Sequence, residues 1–157
     1  MSVGNEISQA SAIDKLEFDL LQFPSATMPL VHIFTPGLYV RQIQIPAGTI
    51  LTSMRHKTEH PFVILSGIID VQSENENIRY QGPCIGVTHP GTKRVLYAQT
   101  DTIWLTFHAN PEDVVDLDEL GKRLIDPVEN PLIEDKEDPK INLWRNSPAE
   151  LLEYSQE

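Results

Sequence analysis

The sequence predicts an all-β domain, a closed barrel or double-sheet jelly roll, with a helix before it and an acidic helical and extended arm after it. Three observations lead there. Between Val31 and His108 the chain divides into nine short runs of strand character: Val31–Phe34, Leu38–Ile45, Gly48–Ser53, Phe62–Leu65, Ile68–Gln72, Ile78–Tyr80, Ile85–Thr88, Arg94–Ala98 and Thr102–His108. Turn formers separate them, among them Pro36-Gly37, Pro46-Ala47-Gly48, Ser66-Gly67, Gly82-Pro83 and Pro90-Gly91. No stretch between them is long enough for a crossover helix, so the strands pair antiparallel and must hide their edges by closure or by forming two sheets.

Ahead of the strands, in a segment spanning 1–30, Ser11 to Phe23 reads as a helix. Ile13, Leu16 and Leu20 share one face, Ser11 and Asp14 form a capping box, and Pro24 ends it. The barrel domain occupies 31–110. In the segment 111–157, Asn110 fits an N-cap and Pro111 a first helical position, and Val114, Leu117, Leu120 and Leu124 give a helical stripe. An extended acidic arm follows, broken by Pro127, Pro131 and Pro139 and carrying Leu132, Ile133, Ile141, Leu143 and Trp144, which want a surface to cover. Ser147-Pro148-Ala149-Glu150 then reads as a capping box opening a last short helix through Leu151, Leu152 and Tyr154.

Charge divides the 157 residues unevenly. Residues 31–110 hold five acids and six bases, whereas 111–157 hold fourteen acids and five bases, a local balance of −9 within an overall −11. Nucleic-acid binding wants a basic footprint and is excluded as an expectation. No apolar run reaches the roughly 18–20 residues that span a bilayer, and Met1 to Ala10 has neither the basic nor the apolar region of a secretory signal. With one cysteine, Cys84, the chain has no internal disulfide and no cysteine-based zinc cluster. A cytoplasmic location is expected, in the host cytoplasm if the chain is phage-encoded. No phosphate-binding loop, dinucleotide fingerprint or zincin pattern occurs.

The chemistry concentrates in the stretch from Gly48 to Gly67. His56 and His60 would stand about 13 Å apart on one extended strand, at roughly 3.3 Å per residue, too far for a single ion whose bonds to imidazole are about 2.0–2.1 Å. The polar turn Lys57-Thr58-Glu59 lets the chain fold back, and Pro61 pushes His60 toward the extended conformation that opens the next strand. Strand, turn and strand can therefore bring both imidazoles to one place. His32 lies within a strand and is expected to be structural.

This stretch resembles the first motif of the cupin superfamily, G-x5-H-x-H-x3,4-E-x6-G. The chain reads Gly48-x5-Met54-x-His56-x3-His60-x6-Gly67, with Met54 at the first histidine and His60 at the glutamate. The second motif, G-x5-P-x-G-x2-H-x3-N, is similar to the segment Gly82 to Ala98. There Gly91 takes the second glycine, Arg94 the histidine, His89 the proline and Ala98 the asparagine. The wider block is also similar to short cupin-domain proteins of tailed bacteriophages and prophages. The resemblance implies a double-stranded β-helix over about 31–108 and a homodimer. It does not by itself imply an activity, because cupins include enzymes, storage proteins and ligand sensors.

The departures from the motif leave two functions open. Met54 is a soft thioether and Arg94 stays protonated, so neither replaces a histidine ligand for a hard divalent ion. One reading is a non-catalytic binding or assembly module, phage-encoded in keeping with the resemblance, with the acidic arm meeting a protein partner. Its degenerate pocket would lie around His56, His60 and Arg94, with Met54, Glu59 and Trp104 alongside. The other is a metal-dependent enzyme or a small-anion sensor, with His56 and His60 holding one divalent metal ion and a third ligand drawn from Glu59, His89 or His108. His108 is the weak member of that set: Ile103, Leu105 and Phe107 form the apolar face of its strand, which is expected to turn His108 away from the core. Arg94 suits a carboxylate or phosphate held by paired hydrogen bonds.

Overall fold

Leu30 to Asn110 form nine strands that fold into two facing sheets. In a computed structural model, residues 11–126, 130–133 and 149–151 are described. The strands are β1 (Leu30–Thr35), β2 (Gly37–Ile45), β3 (Ile50–Thr52), β4 (His60–Ser66), β5 (Ile68–Gln72), β6 (Asn77–Gln81), β7 (Cys84–Thr88), β8 (Val95–Ala98) and β9 (Thr102–Asn110). Helix α1 (Ala12–Leu20) precedes them; helix α2 (Leu117–Leu124) and a short strand β10 (Ala149–Leu151) follow. One sheet has the order β10-β1-β2-β9-β4-β7 and the other β3-β8-β5-β6. Every pair is antiparallel except β1 with β10. The strands sit where the turn chemistry put them, and β5 matches its expected bounds at both ends.

Period-two burial fixes which side chains face inward. Along β9, Thr102, Trp104, Thr106, His108 and Asn110 are buried, while Ile103, Leu105 and Phe107 are only half-buried. Phe62 and Ile64 from β4, Ile43 and Ile45 from β2, and Ile69, Val71, Leu96 and Ala98 from the smaller sheet join Trp104 in the main apolar core. A second cluster forms at the other end of the roll, where Leu120 and Leu124 of α2 pack on Tyr39, with Met54 and Phe34 against them.

Gly67 shows why this chain needs glycine between β4 and β5. Its φ of +100° is open to glycine, and a Cβ there would stand 2.7 Å from Thr102 Cα and meet the Asp101 carbonyl. Neither neighbour can yield, since both are backbone. Gly67→Ala is therefore expected to destabilise the fold by about 3 kcal/mol, measured as a loss of urea-unfolding free energy. A change under about 1 kcal/mol would show that the turn relaxes.

The flanking elements differ from the sequence expectation in three places. Helix α1 has its capping box, with Ser11 Oγ accepting from Asp14 N and Asp14 Oδ2 accepting from Ser11 N, both at 3.1 Å, but it ends at Leu20 instead of Phe23. Asn110 is the last residue of β9 and not a helix cap: its side chain bonds both the N–H and the carbonyl of Val114, closing a turn. Asp116 caps α2 instead, accepting from Asp118 N and Glu119 N. Finally, Ala149–Leu151 is a strand paired with Leu30–His32 and not a helix. The exposed edge of β1 supplies hydrogen-bond partners that a three-residue segment cannot find in itself. Tyr154 and most of the arm, 134–148, lie outside the described residues.

Helix α1 is tied to the barrel by a buried ion cluster. Lys93 Nζ lies 3.2 Å from Asp14 Oδ1 and 2.8 Å from Glu17 Oε1, with all three side chains almost wholly enclosed. Asn130, fully buried, donates to the Asp14 carbonyl at 2.8 Å. The described start of the arm thus folds back over this same domain.

Candidate metal centre

Three histidines converge inside the roll. His56 leads into β4 from a loop, held by a bridge to Ile125 beyond α2 and by Lys57 N donating to the Leu124 carbonyl at 2.8 Å. His60 opens β4, and His108 lies near the end of β9. The ring centroids are 4.4 Å apart for His56 and His60, 4.5 Å for His60 and His108, and 5.4 Å for His56 and His108. One nitrogen from each ring lies within 4.8 Å of the other two. Two bonds of about 2.1 Å at a tetrahedral angle set their nitrogens about 3.4 Å apart, so closure on a shared ion draws the rings together by at most about 1.4 Å.

Each ring is also anchored from behind. His60 Nδ1 donates to the Thr58 carbonyl at 3.2 Å, which leaves Nε2 a bare acceptor, buried and without a hydrogen-bond partner. His108 Nε2 bonds Thr106 Oγ1 at 2.9 Å, and His56 bonds the Met54 backbone. Fixing one nitrogen sets the tautomer and aims the ring, as outer groups do around metal-ligating histidines.

Electrostatics keep the cluster neutral. Burial lowers the His56 pKa to about 3, helped by His60 and by the Arg41 and Arg94 guanidinium charges. Burial also lowers the His60 pKa from its ordinary value and holds His108 well below the usual imidazole range. At neutral pH all three are uncharged, the state that ligates. His32 is buried too, and burial lowers its pKa to about 4; it bonds the Tyr39 hydroxyl at 2.5 Å and belongs to the packing, as expected.

The expected pocket residues fall into three groups. His56 and His60 come together as the turn predicted. His108, expected to face outward, is 1% exposed and completes the triad, because the alternating residues Trp104, Thr106 and His108 are the inward set of β9. Glu59 lies outside the pocket: its side chain is mostly exposed and meets His89 at 3.1 Å, so neither is a ligand of the triad. Met54 packs against the α2 cluster. Arg94 and Trp104 stay together, with the guanidinium carbon 5.6 Å from the Trp104 ring centroid and 5.7 Å from that of Phe62. Thr88, unremarked in the sequence, accepts from Arg94 Nη2 at 3.0 Å and sits opposite His60 in the β4–β7 ladder.

Known structures align with this fold. The fold aligns with salicylate 1,2-dioxygenase from Pseudoaminobacter salicylatoxidans at a TM-score of 0.51 and 14% identity, over 71% of this chain and 33% of that one. A cupin-2 domain of an XRE family transcriptional regulator from Enterobacter cloacae aligns at 0.47 and 13% identity, over 55% of this chain and all of that domain. A cupin-2 domain protein from Shewanella frigidimarina aligns at 0.43 and 10% identity, over 59% and 89%. The chain has the cupin fold. No family model matches the sequence, and no curated protein matches it. Within this fold His56 and His60 come from the loop before β4 and from its first residue, and His108 from β9. No described helix is long and apolar enough to cross a membrane.

Proposed function

We propose that the protein is a metal-dependent cupin-fold enzyme acting on a small organic molecule, with His56, His60 and His108 holding one divalent transition-metal ion. The observation that carries this reading is the convergence of three neutral imidazoles, His60 and His108 buried and His56 half-buried, one nitrogen of each within 4.8 Å of the others. Three protein ligands leave coordination positions open, the arrangement of catalytic rather than structural sites. Imidazole suits zinc, copper, iron and nickel. Such an ion would polarise an oxygen of a bound molecule; the chain's own part is to orient that molecule and to exclude water with the Phe62 and Trp104 side of the roll.

This reading takes precedence over a non-catalytic binding module because it uses groups whose burial is otherwise costly. The alternative, an assembly role through residues 126–157 with a homodimer or a phage or host partner, depends on a segment mostly outside the described residues. Metal analysis decides the matter. Protein purified without an affinity tag is expected to carry close to one equivalent of transition metal, or to take up one equivalent of Co2+ after chelator treatment, with d–d bands reporting nitrogen ligation. Less than a tenth of an equivalent in both measurements would overturn the proposal.

A further inference from the structure

Arg94 stands between the histidine triad and a cavity of about 380 Å3. Its Nη2 donates to Thr88 Oγ1, next to His60, and its Nε is buried without a hydrogen-bond partner. The guanidinium lies over the Phe62 and Trp104 rings. Among the described residues no carboxylate forms an ion pair with it. Its sequence neighbour differs in this respect, because the Lys93 charge is already met by Asp14 and Glu17. A half-buried cation without a carboxylate partner is costly unless something anionic meets its accessible face.

The cavity beside Arg94 indicates which anion. Val71, Ile78 and Tyr80 line it, and Tyr80 is near enough to feel the Arg94 charge. Glu74 and Glu76 also line it, but from the exposed β5–β6 turn at its rim. Arg55, Ser73, Thr88, Thr92 and Lys93 also line it, so an inorganic anion would use that polar part and leave Val71, Ile78 and Tyr80 uncovered. An organic anion can place its charge on the guanidinium and its apolar body against those side chains. A volume of 380 Å3 lies within the range of small-molecule sites.

We propose that Arg94 is the carboxylate-binding residue of this site, taking an organic monocarboxylate whose apolar body fills the cavity lined by Val71, Ile78 and Tyr80. This deepens the metal-centre reading by naming a substrate class, and places the carboxylate within one side chain of His60. Three neutral imidazoles bring no negative charge to a divalent ion, and Arg94 adds a further positive one; an anionic ligand balances both.

The test separates the two readings by measuring carboxylate binding with and without metal. Full-length protein, as purified and after EDTA treatment, is titrated by calorimetry with acetate, butyrate, phenylacetate, neutral phenylacetamide and inorganic phosphate. Phenylacetate is expected to bind saturably in both preparations, at least tenfold tighter than acetate and phenylacetamide. Arg94→Met is expected to weaken it at least tenfold, and Arg94→Lys less, because the charge survives without the planar fork. Circular dichroism and urea unfolding confirm that each variant is folded, and an unfolded Arg94→Met leaves the Lys variant and the amide comparison to decide. Equal binding of phenylacetate and phenylacetamide, or no saturable binding of any carboxylate, would overturn the proposal. Phosphate binding tighter than phenylacetate would reassign the site to a phosphate ligand and overturn it too. If phenylacetate binds but Co2+ does not, the metal centre fails and the carboxylate site stands; the reverse result rejects the carboxylate site alone.

Discussion

His60→Ala lowers the affinity of the protein for Co2+ by at least about a hundredfold. The change removes a buried nitrogen whose lone pair has no other partner and whose ring the Thr58 carbonyl holds in place. Losing an outer group that merely orients a ligand costs about 10–100-fold, so losing the ligand itself costs at least the upper figure. His56 and His108 remain, but two imidazoles hold an ion more weakly than three. Glu59→Gln provides the control. That carboxylate is exposed and occupied with His89, so its loss leaves Co2+ affinity unchanged. Isothermal titration of both variants checks the pair, and His60→Ala binding within threefold of the parent protein would remove His60 from the ligand set.

Acid is expected to unfold the metal-free protein well above the carboxylate range. Burial lowers the pKa of His32 to about 4 and that of His56 to about 3, and pushes His108 down as well. The sign follows from proton counting. Below about pH 6.5 the unfolded chain protonates these imidazoles while the folded one does not. The stability they contribute is thus fully present above that pH and is lost as pH falls toward the folded values. Each such histidine costs about 1.4 kcal/mol per pH unit in this window, or about 2 kcal/mol by pH 5. Three of them remove about 6 kcal/mol, against a typical total of about 5–15 kcal/mol. Urea melts at pH 7, 6 and 5 are expected to show a steep, accelerating loss. A stability at pH 5 within 1 kcal/mol of that at pH 7 would mean that the cluster protonates without unfolding.

The sequence carried the barrel well because glycine, proline and polar clusters punctuate it locally, and turn chemistry needs no knowledge of distant residues. The meeting of His56 and His60 was equally local, a turn of three polar residues followed by His60-Pro61. His108 was not legible in the same way. Both faces of β9 look burial-competent: one offers Ile103, Leu105 and Phe107, the other Thr102, Trp104, Thr106 and His108. The apolar face is the natural choice for the core, yet it is half-buried while the mixed face lines the interior. What decides the matter is pairing with β2 and β4, which places Tyr39 opposite His108 and Phe62 opposite Thr106. That register is a long-range fact. A hint was present in β1 and β2, where His32 and Arg41 also interrupt apolar strands, as expected of strands that line a polar chamber. The Asn110 error has a different origin: the same side-chain chemistry serves helix caps and tight turns, and local sequence does not choose between them.

The loop bearing His56 is stitched to the far end of α2, through Lys57 N to the Leu124 carbonyl and Asp126 N to the Arg55 carbonyl, both at 2.8 Å. The smallest autonomous piece therefore does not stop where the last barrel strand stops. A truncation at residue 110 would keep every strand of the roll proper and still cut the stitching that orients one of its three imidazoles. Helix α2 is an integral brace of the centre, and a minimal version of this protein has to extend through Asp126.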